Sequence, residues 1–340
     1  MSTDLQFVDP PYMRTEDSLP VRFTNADMLD MEKVTRHIAA AVARGRYEGP
    51  QTPHEYLRNR HCVVVVNGET YATAAGLLCF GRNPQEIYIN GVVDLVQFSG
   101  LRVDRAEVLD LTKGVGGTLF EQIDFVEAYL WRNTRHGMTV TEDSNTRVEL
   151  HEYPRQVIRE LTVNLVGHRD YVNHPGATAQ VQLFRDRIEW TAPGGLPIGV
   201  TEQNLLTAQN ARNRSIMTIL YEAGYVEAYG MGLDTVVTVL AKEKMPAPRF
   251  EDHPNLHFKV TVFGRSVETR AASFVALSDS QQRILEIMRT VPEISRKELE
   301  QRLGDRAPRS VQRDLQTLID EGLIDSNDAR ARAIRYRLRS

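Results

Sequence analysis

Residues Arg159–Tyr171 read RELTVNLVGHRDY. Leu161 and Leu165, with Val157 and Ile158 just upstream, recur at helical spacing and give this segment one face for a core. Pro154 suits the first turn of such a helix. Its other face is polar: Glu160, Asn164 and His168 stand four residues apart, one turn above another. A stripe of this kind is often only the solvated side of a structural helix. Its chemistry also suits one task. Hydrolysing a nucleoside triphosphate needs a group that orients water and an oxygen ligand for magnesium. A Glu with an Asn at i+4 offers both from one rigid surface. HRDY also occurs in kinase catalytic loops, but the Asn five residues later, the glycine-rich loop, the strand lysine and the DFG are not arranged here. No GxxxxGK[ST] loop is present either, which argues against helicase activity. His168, Arg169 and Asp170 are expected to fold the helix end onto neighbouring loops.

Working outward, TAQVQLF alternates with period two, RDR turns the chain, and RIEW completes a hairpin. In TAPGGLPIG, Pro193-Gly194-Gly195 admits the left-handed geometry of a sharp turn. RSIMTILYEAG reads as a helix capped by Gly224. In YGMGLDTVVTVLAKE, Gly230 and Gly232 free the backbone where another helix opens, and a helix N-terminus attracts phosphate. KVTVFG closes the block as a strand. On the amino-terminal side, LDMEKVTRHIAAAVARG is an amphipathic helix. HCVVVVNGETYATAAGLLCFG reads as a buried strand, an Asn-Gly turn and a small-residue helix. GVGG has the wrong glycine spacing for a dinucleotide loop and reads as the entry to a helix carrying Leu119, Ile123, Val126 and Leu130.

The 340 residues suggest two or three domains, and 41% hydrophobic with 25% charged residues is the balance of an ordinary globular protein. A net charge of −4 gives no global basic signature, so any nucleic-acid contact must come from a local patch. Cys62 and Cys79 sit in apolar runs and read as buried thiols, and their number and spacing exclude a disulfide scaffold and CxxC metal knuckles. Neither a membrane-length apolar segment nor a signal-peptide pattern is seen, so a cytoplasmic protein is expected.

The last sixty residues change character. Ser278 and Asp279 can cap QQRILEIMRTV, Ser295 can cap RKELEQRLG, and PRSVQRDLQTLIDEGLI is a third helix. Three short helices before a basic hairpin describe a winged helix. Arg309, Ser310, Gln312 and Arg313 come early in the third helix, where a recognition helix meets base edges. Arg330, Arg332, Arg335, Arg337 and Arg339 of the wing would clamp phosphate, while Ile334, Tyr336 and Leu338 alternate inward. Protein contact or dimerisation is the competing use of such a domain.

RELTVNLVGHRDY, APGGLP, ARNRSIMTILYEAGYVE and YGMGLD, in this order, resemble the bacterial transcriptional regulators related to RecG. The central domain of that family is similar to the GHKL ATPase fold of gyrase B, MutL and histidine kinases. The upstream ATAAGLLCFGRNP also resembles the family, and the likeness spans most of residues 8–265. It implies that Glu160 positions or activates water and that Asn164 holds magnesium. Gly194, Gly195, Gly230 and Gly232 would shape the nucleotide loops, with ATP and Mg2+ as the cofactors. Ala192 stands where GHKL ATPases carry an adenine-binding Asp, and it offers no side-chain hydrogen bond.

The expected fold is therefore α+β: an N-terminal α/β region over residues 1–140, a GHKL-like α/β sandwich over 141–265, a linker over 266–278 and a small winged helix-turn-helix domain over 279–340. Residues 8–18 resemble the tail of a truncated AlbA domain. The expected function is a DNA-binding transcriptional regulator that senses a nucleotide or related ligand, binds double-stranded DNA as a homodimer and makes no membrane contact. An ATPase whose hydrolysis is itself the output, and a degenerate scaffold for protein assembly, are the alternatives.

Overall fold

The computed structural model describes residues 15–140, 147–174, 176–208, 210–226, 232–265, 279–289, 291, 293–303, 308–320, 324–327 and 334–338. The first part runs α1 (Met31–Ala43), α2 (Pro53–Asn59), β1 (Val63–Val66), β2 (Glu69–Ala72), α3 (Ala74–Phe80), β3 (Val93–Phe98), β4 (Val108–Val115) and α4 (Leu119–Asn133). Next come β5 (His136–Val140), β6 (Arg147–His151), α5 (Arg155–Gly167), β7 (Ala179–Leu183), β8 (Arg187–Pro193), α6 (Arg214–Glu222), α7 (Gly232–Lys242), β9 (Arg249–His253) and β10 (His257–Phe263). The end of the chain holds α8 (Asp279–Arg289), β11 (Ile294–Ser295), α9 (Arg296–Leu303), α10 (Pro308–Asp320), β12 (Ile324–Ser326) and β13 (Arg335–Leu338). The fold is α+β, with mixed helices and sheets.

Alternation builds the main sheet. Val181 and Leu183 of β7 and Ile188 and Trp190 of β8 are buried at every second position, and a period of two puts them on one face. That face packs on α5, whose Val157, Ile158, Leu161 and Leu165 are buried. The indole of Trp190 donates to Thr162 Oγ1 at 3.3 Å, so the polar atom of the largest core side chain is satisfied inside the layer. The six strands run in the order β4-β3-β7-β8-β10-β9, parallel only between β3 and β7. α4 and α7 both pack against α5.

Residues Met1–Arg265 form one compact unit and Ser266–Ser340 another. β3 and β4 share a sheet with β7–β10, so the boundary expected near residue 141 falls inside the first unit. The stretch over 8–18 is described only from residue 15, and the expected linker over 266–278 lies outside the described residues. Among its described residues, the second unit holds three helices and a three-stranded antiparallel sheet in the order β11-β13-β12, around Ile284, Leu299, Val311, Leu315 and Tyr336.

One local expectation needs correction. In HCVVVVNGETYATAAGLLCFG the strand, the Asn-Gly turn and the small-residue helix α3 all form, but Glu69–Ala72 pairs back as β2, and the resulting hairpin is exposed at Val65 and Val66 rather than buried throughout. Asn67 and Gly68 both take positive φ (52° and 84°), as a two-residue turn of primed type requires. Val65 and Val66 are exposed, because this hairpin pairs only with itself and has no second layer over its outer end.

Candidate functional site

α5 brings the polar stripe to the edge of a cavity. Glu160, Asn164 and His168 are all partly buried. The Asn164 amide, through Nδ2, donates to Glu160 Oε1 at 3.4 Å. Gly232, the first residue of α7, lies directly on this pair. A Cβ there would collide with Glu160 Oε1 and stand 3.0 Å from Asn164 Nδ2. Glycine is therefore what lets the start of α7 approach α5. His168, at the end of α5, is held down to a pKa of about 4 by burial and by the nearby Arg212 guanidinium, so it is neutral at pH 7.

The first glycine loop is braced from two sides. Gly194 has φ +85°, and a Cβ on it would stand 2.5 Å from Asp170 Cβ. Asp170 Oδ1 accepts the N–H groups of Val172 (3.1 Å) and Asn173 (2.8 Å), and its Oδ2 pairs with Arg212 Nη1 at 3.2 Å. Burial pushes this carboxyl up, but the Asn173 bonds and Arg212 outweigh it and hold the pKa below the usual value. Arg212 Nη2 donates onward to Gly195 O at 2.6 Å. On the other side the Leu196 N–H donates to Asp252 Oδ1 at 3.0 Å. Arg169 is only 2% exposed and donates to the carbonyls of Val92, Asn90 and Ala177. It and Asp170 fold the helix end onto its neighbours, as expected.

Between these parts lies a cavity of about 210 Å³, room for about seven waters. Asn164, Ala192, Gly194, Gly195 and Gly232 line it together, so residues far apart in sequence converge on one space. Glu160 stands beside Asn164 at its edge. Gly230 lies outside the described residues. Sequence reasoning missed Trp190 and Phe258 in the wall, and the polar liners Asn210 and Asp234. Asp234, next but one to Gly232, was the one legible signal among them.

α6 supplies Met217 to the wall and is fixed at both ends by distant residues. At its start Asp17 Oδ2 accepts the Ile216 N–H at 2.9 Å and Thr15 Oγ1 the Arg214 N–H at 3.2 Å. These bonds satisfy helix-end donors that no local side chain reaches. Asn213 instead bridges the carbonyls of Gly167 and Arg169. At its end Glu222, 1% exposed, accepts from Tyr56 (2.6 Å) and pairs with Arg60 (2.5 Å) and His37 (3.3 Å). Burial raises the Glu222 pKa, but these partners together bring it below its usual value.

In the second unit, Arg309 and Ser310 lie in the first turn of α10, and Gln312 and Arg313 are exposed one turn on. Gln312 Oε1 accepts from Arg296 Nη1 at 2.6 Å. Asp314, an acidic neighbour of these residues, points inward and accepts from Ser280 Oγ at 2.7 Å. Arg335 and Arg337 are exposed on either side of buried Tyr336. Arg330, Arg332 and Arg339 lie outside the described residues.

Among the described residues no helix is long and apolar enough to cross a membrane, and no group of three or more His, Cys, Asp or Glu could hold a metal ion. A search of curated proteins finds no match. Among solved structures, the chain resembles the crystal structure of the DIP2311 protein from Corynebacterium diphtheriae at 17% identity and a TM-score of 0.59. The likeness covers 96% of this chain and 64% of that one, and at this identity it speaks for the fold alone. Residues 176–262, from just before β7 to β10, match the family described as "Putative ATP-dependent DNA helicase recG C-terminal", a partial and distant match to an ATPase-like domain that leaves Glu160 and Asn164 outside it.

Proposed function

We propose that the chain is a ligand-sensing, DNA-binding regulator. Its first unit would hold a nucleotide or related small molecule in the cavity, and its second would contact double-stranded DNA as a winged helix, in a homodimer. The observation that carries the sensing half is the convergence of Asn164, Ala192, both glycines of the first loop and Gly232 on one cavity. The ATPase-like match over residues 176–262 supports the same assignment. The DNA-binding half is supported by the exposed Gln312 and Arg313 on α10 and by Arg335 and Arg337 beside the buried Tyr336. A helix end and a basic strand of this kind suit base edges and phosphates respectively.

A second reading, a magnesium-dependent ATPase, is favoured by the Glu160–Asn164 pair. The carbonyl of Asn164 and the carboxylate of Glu160 are oxygen donors, as Mg2+ requires, and this ion normally enters with phosphates and only one or two protein ligands. In that reading bound Mg2+ neutralises phosphate charge. Asn164 would be its ligand and Glu160 would orient the attacking water.

Calorimetric titration of the wild type with ATP, ADP and GTP separates the readings. On the ATPase reading Asn164→Ala abolishes binding, whereas Glu160→Ala binds normally and ends turnover. Equal binding by all three proteins would sink the ATPase assignment. For the second unit, fluorescence anisotropy in a salt series should show a shallower slope for Arg335→Ala/Arg337→Ala, by roughly 0.9 for each phosphate no longer neutralised. An unchanged slope would return this unit to a protein-contact role.

A further inference from the structure

We infer that His136 and His151 form a two-imidazole site for a divalent transition-metal ion of the nickel or copper kind, at the base of the β5–β6 hairpin. Neither residue lines the cavity, and the site does not depend on what the cavity binds.

The register of the hairpin brings the two rings together. His136 and His151 are directly opposed on the first rung of an antiparallel pair, so both side chains stand on one face. Their Nδ1 atoms lie 3.0 Å apart. His136 Nε2 lies 2.6 Å from the Trp131 carbonyl, which can only accept, so that nitrogen carries the proton. In the neutral ring Nδ1 then presents a lone pair toward His151. An imidazole anchored through its far N–H to a carbonyl is the usual arrangement of a metal-binding histidine. The contact between the two Nδ1 atoms is a hydrogen bond only while His151 holds its proton there. With that proton on Nε2, two lone pairs converge, and a cation between them removes the repulsion.

The spacing selects the ion. Nitrogens about 2.0–2.1 Å from one metal lie about 2.9 Å apart at a right angle and about 3.3 Å apart at a tetrahedral one. The observed 3.0 Å fits the right angle, which tetragonal nickel(II) and copper(II) adopt with nitrogen and oxygen donors. Calcium and magnesium take oxygen ligands and do not suit the pair. His136 is exposed, so water completes the coordination sphere.

The surroundings hold the rings in place. Trp131 lies against both, with ring centres 4.3 Å from His136 and 4.6 Å from His151. One residue outward along each strand, Arg135 donates its N–H and its Nη2 to the Glu152 carboxylate, both at 2.9 Å. The Glu152 N–H returns a bond of 2.9 Å to the Arg135 carbonyl, which closes a clamp at the hairpin base. Arg155, whose guanidinium stands 5.5 Å from the centre of the Trp131 ring, is paired with Glu127 at 2.7 Å, which limits its repulsion of an ion. Among the described residues β5 and β6 pair only with each other, so an ion across their first rung would cross-link a hairpin that no other strand supports.

The test is tryptophan fluorescence of the untagged full chain, with Ni2+ as the probe. A second cross-strand pair, His253 and His257 with ring centres 4.5 Å apart, is the internal control. Ni2+ bound beside Trp131 should quench emission in one saturable step, and Mg2+ should leave it unchanged. His136→Gln and His151→Gln should each weaken the midpoint at least about tenfold, a scale that the loss of a mere outer-shell partner already reaches. His253→Gln should leave the midpoint where it is. Trp131→Phe should remove most of the quenching while calorimetry still records the heat of Ni2+ binding. Absence of a saturable step in the wild type overturns the inference. So does an unchanged midpoint in both of the first two variants, or loss of the step in His253→Gln instead.

Discussion

Glu222 and Glu160 are both carboxylates on helices of the first unit, yet their surroundings assign them different work. Glu222 is sealed from water and meets a guanidinium, a phenol and an imidazole, which together saturate its oxygens. Glu160 is partly buried, sits beside an amide 3.4 Å away and is packed on the first residue of α7 at the rim of a cavity. Saturation marks a structural ion pair, because every partner gained offsets desolvation and leaves nothing to offer a ligand. An acidic group at a cavity edge instead contributes to the electrostatics of the space in front of it. The two residue types are identical, and only their partners tell them apart.

The contrast can be broken by mutation. The largest effect is expected for Glu222→Ala, which strands the Arg60 guanidinium and takes from the buried Tyr56 hydroxyl one of its two partners, leaving it His37 Nε2 at 2.7 Å. Such an uncompensated loss typically costs about 3–5 kcal/mol, read as a shift of the urea midpoint. Because the Glu222 pKa is lowered in the folded state, its contribution is present above its ordinary 4.5 and is lost as pH falls through the depressed folded value. Glu222→Gln should flatten that acid limb, and an unaltered limb would deny Glu222 its structural role.

Next in size is Gly194→Ala. A side chain at φ +85° is strained, and its Cβ would press on Asp170 at 2.5 Å, so a loss of about 2–3 kcal/mol is expected. His168 should give the next effect. Its folded pKa of about 4 lies below the ordinary 6.5, so stability is full above 6.5 and declines as pH falls toward 4, by up to ~3 kcal/mol. His168→Gln should remove this slope in denaturation curves taken at pH 7 and pH 5. Glu160→Gln should be the mildest, within about 1 kcal/mol of wild type. A loss as large as that of Glu222→Ala would erase the distinction between the two carboxylates.

What the sequence made legible was local. The period of two in β7 and β8, the apolar face of α5, Gly224 with φ +87° behind α6, and the sharp turn at Gly194 all follow from near-neighbour rules. So does the exposed–buried alternation of Arg335, Tyr336 and Arg337. The Asn-Gly turn after β1 was legible, but its partner strand β2 and the exposure of Val65 and Val66 were not, because a run of valines suggests burial on both faces. The bracing of α6 was illegible for a plainer reason. Asp17 caps a helix 199 residues away and Arg60 pairs across 162, and no periodicity records contacts at such range. The Asp170–Arg212 brace under the glycine loop is of the same kind, since it joins two loops with no pattern of their own.

Ligand sensing by this molecule rests on the cavity between α5, α7 and the first glycine loop. Ala192 lies on β8 in the cavity wall, 8% exposed, where a phenyl ring would extend into the open space. The direct measurement is a calorimetric titration of ATP into wild type and into Ala192→Phe, with melting temperatures of both recorded alongside. One saturable site in the wild type and none in the filled variant, at melting temperatures a few degrees apart at most, is the predicted result. Equal binding by both proteins, or no heat from the wild type, would contradict it.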